Sequence, residues 1–285
     1  GCERGGVCWL GSSGCATMAV VLSRHERAMP APETESATAT LEAFLHELPK
    51  VELHCHLFGT VRRATFTDFV RRAQAPISDE DIAAFYTRGE KPVGVLRVLR
   101  ALDECLIRSP DDLYRLTYEY LEDAAAHHVR YSEFFWNPTG TAVMSGIPYV
   151  RALTGIVRAI HDAERDHGIV GRLIPSIDRE ASPDAAVAMV DWVCAARCDE
   201  VLGIGIDYRE NERPPELFIE AYALARRNGL KTTAHASEFG LPWNNLQTAI
   251  ETLKVDRVDH GYTVIDNPEL ARRCADLGIV FTVVP

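Results

Sequence analysis

Four histidines and one glutamate hold the chemistry that can be read from this chain. His54 and His56 flank Cys55 in an apolar run that looks extended. On a strand, residues i and i+2 point to the same side, so both imidazoles face one way. Two neutral imidazoles placed like this suit a borderline-soft divalent ion, above all Zn²⁺. Taken alone, two histidines at this spacing could be incidental. A third imidazole, His235, closes a later apolar run, which strengthens the metal reading. Glu238 follows three residues on, in a loop. A carboxyl there can exchange protons with substrate and water without binding the metal; otherwise it is a charge favoured by a helix N-terminus. His260, within Asp259-His260-Gly261, could orient or deprotonate a metal-bound water.

The elements that must position these residues alternate regularly. Strand-like runs are expected at 51–57, 129–136, 170–177, 201–207, 231–235, 257–261 and 279–284. Helices are expected at 41–48, 148–167, 182–197, 215–228, 242–254 and 268–277, with a helical insertion over 62–128. Gly168, Gly229 and Gly278 sit where C-caps belong. Pro148, Pro183, Pro215 and Pro268 sit near first turns. Near-continuously apolar strands separated by helices imply a parallel sheet covered on both faces. No glycine-rich phosphate loop follows the first strand, and the polar residues close several different strands. That placement favours a (β/α)8 TIM-type barrel, truncated after its seventh strand, over an open doubly wound sheet.

The 285 residues carry Lys+Arg 30 against Asp+Glu 41, a net charge of −11. That balance argues against a nucleic-acid partner or an anionic membrane surface. No apolar run is long enough to span a bilayer. The eight cysteines are dispersed or confined to the first fifteen residues, without a metal-type pair, and read as reduced thiols of a cytoplasmic protein. Residues 1–40 lack sustained periodicity and read as a disordered lead-in or a mis-assigned N-terminal extension; 41–285 form the barrel domain.

Several segments resemble, in order, the adenosine/adenine deaminase family of zinc-dependent aminohydrolases. LPKVELHCHLFGT is similar to its first-strand signature, HASE to its HAGE motif, and RVDHGYTVIDNPEL to its RxxHG segment. YSEFFWNP and GIGIDYRE resemble its second- and fourth-strand segments, and EFFWNP and DHG lie nearer the adenine-deaminase branch. The resemblance implies a TIM barrel of the amidohydrolase type that hydrolyses an aminopurine, adenosine or a related adenine compound, to the 6-oxopurine and ammonia. It implies one Zn²⁺ per subunit on His54, His56 and His235, with Glu238 as the acid/base at the purine ring nitrogen and His260 beside the attacking hydroxide. The expected partner is a small-molecule purine. Oligomeric state is left open.

The chain departs from the family pattern at three substrate-facing places. Phe58 stands where nucleoside deaminases carry an acid for the ribose, which points to adenine or a 5′-modified adenosine. The loop opening with Asp207 lacks the glycine offered to the purine, and Ser237 replaces the Gly of HAGE. Phe58, Asp207 and Ser237 are therefore the candidate substrate-binding residues. The family's fourth protein zinc ligand is an Asp on the eighth strand. Its place in a complete barrel implies a natural chain longer by roughly one hundred residues. Two other readings stand beside the deaminase, a metallophosphoesterase and a non-catalytic purine-binding barrel.

Overall fold

A computed structural model describes residues 34–87 and 95–284. The expected lead-in falls mainly on residues 1–33, outside the described residues. The chain divides into two units, Gly1–Leu45 and His46–Pro285. The described part of the first belongs to helix α1, Thr34–Glu47. This helix begins earlier than the expected residue 41, because Glu and Ala at 35, 37 and 39 are good helix formers.

The second unit is built on seven parallel strands in sequential order. They are β1 Lys50–His56, β2 Val129–Trp136, β3 Val170–Asp178, β4 Gly203–Asp207, β5 Lys231–Ala236, β6 Arg257–His260 and β7 Val280–Thr282. Every residue of β4 and all of β5 after Lys231 are buried, as a sheet covered on both faces requires. The strands curve into a nearly closed barrel. No ladder joins β7 to β1 among the described residues; instead Thr282 Oγ1 lies 3.2 Å from His54 Nδ1.

Helices α7 Tyr149–His167, α8 Pro183–Ala195, α9 Ile219–Arg227, α10 Trp243–Thr248 and α11 Pro268–Leu277 cover the strands. Their apolar faces meet the sheet in one core, Ile156 and Ile160 from α7, Met189 and Val193 from α8, and Tyr222 from α9 packing with Leu173, Ile206 and Val258. Local chemistry fixes their ends. Ser182 and Asn267 cap α8 and α11 through side-chain oxygens. Gly168 and Gly278 take left-handed C-cap conformations, φ 66° at each. Pro138–Met144 is a short helix that periodicity does not predict. Asn137 accepts the Gly140 amide and Pro138 occupies its first turn, so capping rather than an apolar stripe creates it.

The described part of the insertion after β1 is mostly helical: α2 Arg63–Ala73, α3 Asp79–Tyr86, α4 Val95–Ala101 and α5 Pro110–Ala126, the short helix Pro138–Met144 being α6. Within it, a π-type turn, Leu102–Leu106, buries Asp103 to 1 % exposure. Arg100 clamps the insertion to the barrel mouth. It donates to Asp178 at 2.7 and 3.2 Å and to Glu180 at 2.8 Å, and lies 3.8 Å over the Tyr208 ring.

Asp103 takes hydrogen bonds from Thr141 at 3.2 Å and Tyr208 at 3.4 Å, but burial pushes its pKa up to about 8. A carboxyl whose folded pKa is raised contributes stability that is complete below its unfolded pKa. That contribution is lost as pH rises through the folded pKa. Asp103→Asn is thus expected to be stabilising at pH 8–9 by several °C in Tm and nearly neutral at pH 4, because the amide cannot ionise. Thermal melts across this range check it; a variant whose Tm difference is constant with pH contradicts it.

Candidate active site

The chemistry-bearing residues converge at the C-terminal ends of the strands. β1 supplies His54 and His56, β5 supplies His235, and β6 supplies His260. The ring nitrogens of the first three meet: His235 Nε2 lies 3.1 Å from His54 Nε2 and 3.0 Å from His56 Nε2.

Their outer nitrogens decide what those inner ones offer. Thr282 Oγ1 donates its proton to Asp259 at 2.6 Å, so toward His54 Nδ1 it can only accept. His56 Nδ1 faces Asp207 Oδ2 at 3.3 Å, and His235 Nδ1 faces Asp259 Oδ2 at 3.5 Å. Each Nδ1 therefore carries the hydrogen, and each Nε2 presents a lone pair. Burial lowers the pKa of His54, and lowers that of His235 well below its usual value, which keeps both neutral. Three nitrogen lone pairs on atoms within 4.8 Å of one another repel unless a cation lies among them. The donor set and its outer carboxylates are those of a zinc site.

Glu238 and His260 stand beside this trio. Burial is the main cause of the rise in the Glu238 pKa to about 7. Its Oε1 is 3.6 Å from His260 Nε2. Tyr262 donates its proton to the Val284 carbonyl at 2.6 Å, so the 3.0 Å contact with His260 Nδ1 has histidine as donor. His260 Nε2 is thus a buried lone pair without a protein partner, aimed at the site. Burial, then repulsion from His54 and His56, lowers the His260 pKa to about 3, so it is a neutral base at physiological pH. Its φ of 72° is strained for a side-chain-bearing residue, a feature that concentrates at functional sites.

A cavity of about 150 Å³ opens over these groups, lined by His56, His235, Asp207 and Glu238 among mostly apolar walls. Of the three candidate substrate contacts, Phe58 lines it. Asp207 lines it too, but one carboxylate oxygen is turned to His56 while Oδ1 is buried without a partner. Ser237 is not in the lining: it is fully buried and its hydroxyl donates to the Pro242 carbonyl at 3.2 Å. The sequence reading missed Leu99, Phe135, Trp136, Asn137 and Phe239 in the walls. The only signal for Phe135, Trp136, Asn137 and Phe239 was proximity to strand ends, and Leu99 comes from the insertion. It also missed Asp259, which faces His235 Nδ1 at 3.5 Å and reaches His54 through Thr282, and which is indistinguishable in sequence from any strand aspartate.

A parallel barrel with converging imidazoles, a raised carboxyl and a neutral histidine at its strand ends defines a metal-dependent hydrolase. The adenosine deaminase family model matches residues 49–285, and the chain belongs to that family. It is 34 % identical over 246 residues to an adenine deaminase of Sphingopyxis alaskensis, covering 85 % of this chain and 71 % of that protein. It is similar to a crystal structure of an amidohydrolase from Burkholderia ambifaria with bound zinc, at 65 % identity and a TM-score of 0.86, covering 90 % of this chain and 71 % of that one. The adenine deaminase of Arthrobacter aurescens matches with a TM-score of 0.73 at 27 % identity, covering 82 % of this chain and 71 % of that one. No helix among the described residues is long and apolar enough to cross a membrane.

Proposed function

We propose that this protein hydrolyses the exocyclic amine of adenine, giving the 6-oxopurine and ammonia. The observation that carries this reading is the pairing of Glu238 and His260 across 3.6 Å at the edge of the cavity, beside the three imidazoles. His54, His56 and His235 would hold zinc, whose Lewis acidity makes hydroxide available near neutral pH.

The chain's own residues do the rest. Glu238, with a pKa of about 7, holds a proton that it gives to the purine ring nitrogen as oxygen adds to the amine-bearing carbon. The ring then accepts the displaced electron pair. His260 Nε2 accepts the proton from the attacking water and can pass it to the leaving amine. The carbon–nitrogen bond then breaks as ammonia departs, the proton left on the added oxygen goes to Glu238 as the carbonyl forms, and both side chains are back in their starting states. Asp207 keeps His56 in its metal-facing tautomer, and its free Oδ1 is placed to accept from substrate.

The walls select the base. Phe58, Leu99, Phe135, Trp136 and Phe239 offer flat apolar surface for a purine, and Phe58 cannot accept a ribose hydroxyl. The similarity to adenine deaminases supports the same choice. Reduced thiols at Cys55, Cys105, Cys194, Cys198 and Cys274 suit a cytoplasmic setting. With zinc-loaded enzyme and ammonia release as readout, kcat/KM for adenine should exceed that for adenosine by about 100-fold or more, since an unpaired buried hydroxyl is strongly disfavoured. Equal or higher activity on adenosine or a 5′-deoxy analogue would overturn the choice of substrate. Binding of adenine without ammonia release would favour the non-catalytic barrel.

A further inference from the structure

Two buried charges lie behind the active site without lining its cavity. Arg179, just past β3, is fully buried, and Glu210, in the loop after β4, is 2 % exposed. Arg179 Nη1 lies 3.6 Å from Glu210 Oε1. Isolating such a pair from water costs several kcal/mol per ion, so stability alone is a poor reason for it. Arg179 Nε and Nη1 even lack hydrogen-bond partners.

What the pair grips is the segment between a zinc ligand and the acid. Arg179 Nη2 donates to the His235 carbonyl at 2.5 Å. Glu210 accepts the Ser237 amide at 3.0 Å on one oxygen and the Glu238 amide at 3.1 Å on the other. Asn245 donates to the first of those oxygens at 2.8 Å, fixing the carboxylate from behind. Between the two grips, Ser237 takes a φ of 58°, a left-handed conformation that a serine does not hold unaided. That conformation turns the chain out of β5 so that Glu238 faces the cavity while His235 stays on the strand.

We propose that Arg179 and Glu210 form a charged clamp whose role is to hold the His235–Glu238 turn, making both of them positioning residues for the acid. The inference rests on the deaminase reading above. It requires that removing the clamp loosen the Glu238 backbone and slow the chemical step while zinc and substrate binding persist. Displacing a catalytic group by about 1 Å can cost about 100-fold in rate.

The test uses Glu210→Gln, which retains shape but turns one acceptor into a donor facing an amide, and the double variant Arg179→Met/Glu210→Gln, which leaves no lone buried charge. In each, zinc content, kcat and KM for adenine, and hydrogen exchange of the Ser237 and Glu238 amides are measured. The expected result in either folded variant is kcat per zinc-loaded molecule lower by about 10- to 100-fold, KM within about threefold, and faster exchange confined to that turn. A purely structural role would instead lower the zinc-loaded fraction and leave kcat per loaded molecule unchanged, which overturns the proposal. So does unchanged exchange at 237 and 238. A wild-type enzyme inactive on every aminopurine would sink the deaminase reading, whereas an active wild type with indifferent variants would sink the clamp alone.

Discussion

Glu238→Gln is expected to lower kcat by about 1,000-fold while the protein keeps its zinc, a loss of about 4 kcal/mol of transition-state stabilisation. The amide matches the carboxyl in size and can still donate a hydrogen bond, but it cannot release a proton to the ring nitrogen. The rest of the site is untouched, because the Glu210 bonds that hold this turn go to backbone amides and not to the Glu238 side chain. The pH profile makes the assignment specific. Burial raises the carboxyl to about 7, so the proton-bearing form that serves as acid predominates below that pH and is lost above it. Wild-type kcat/KM should therefore fall on the alkaline side with a midpoint near 7, and in the glutamine variant the residual rate should lose that limb. A variant with near-normal turnover and stoichiometric zinc would remove Glu238 from the reaction.

His235→Ala should have the other large effect, on the metal itself. His235 touches both of the other metal-facing imidazoles and is 2 % exposed. No carboxylate among the described residues joins the three in a common cluster. Loss of an outer-sphere partner alone typically costs 10- to 100-fold in metal affinity, and a direct ligand should cost more than about 1,000-fold. Chelator competition reads that change directly. Thermal stability gives a second readout: zinc binding only the folded state should raise the wild-type Tm in a concentration-dependent way, and this rise should vanish in the variant. Retention of tight stoichiometric zinc by His235→Ala would show that the ion is held elsewhere.

The contrast between these residues shows where sequence reasoning reaches. His54 and His56 were legible because a period of two on an apolar strand dictates a shared face. His235 and His260 followed, since parallel strands of one barrel bring their C-terminal ends together wherever they lie in the chain. Caps and breaks placed α11 at Pro268–Leu277, as expected from Pro268 and Gly278. The start of helix α1, before residue 41, and the short helix Pro138–Met144 escaped because neither advertises an apolar stripe. From sequence, Ser237 reads as a substrate contact because it replaces a glycine in a motif. In the fold its side chain turns away to Pro242, and its backbone carries the significance.

By itself, then, the sequence determined the parallel barrel, the family, and which imidazoles and carboxyl could do chemistry. These follow from periodicity and residue type, which act locally and repeat along the chain. Only the tertiary structure decided the protonation of each group and what holds it in place. The tautomers of His54 and His260 depend on where single protons of Thr282 and Tyr262 go. The acidity of Glu238 depends on water excluded by walls drawn from several strands and the insertion. The Arg179–Glu210 clamp joins residues distant in sequence through burial alone. Desolvation and hydrogen-bond direction are properties of a three-dimensional neighbourhood, and no pattern along a single chain encodes them.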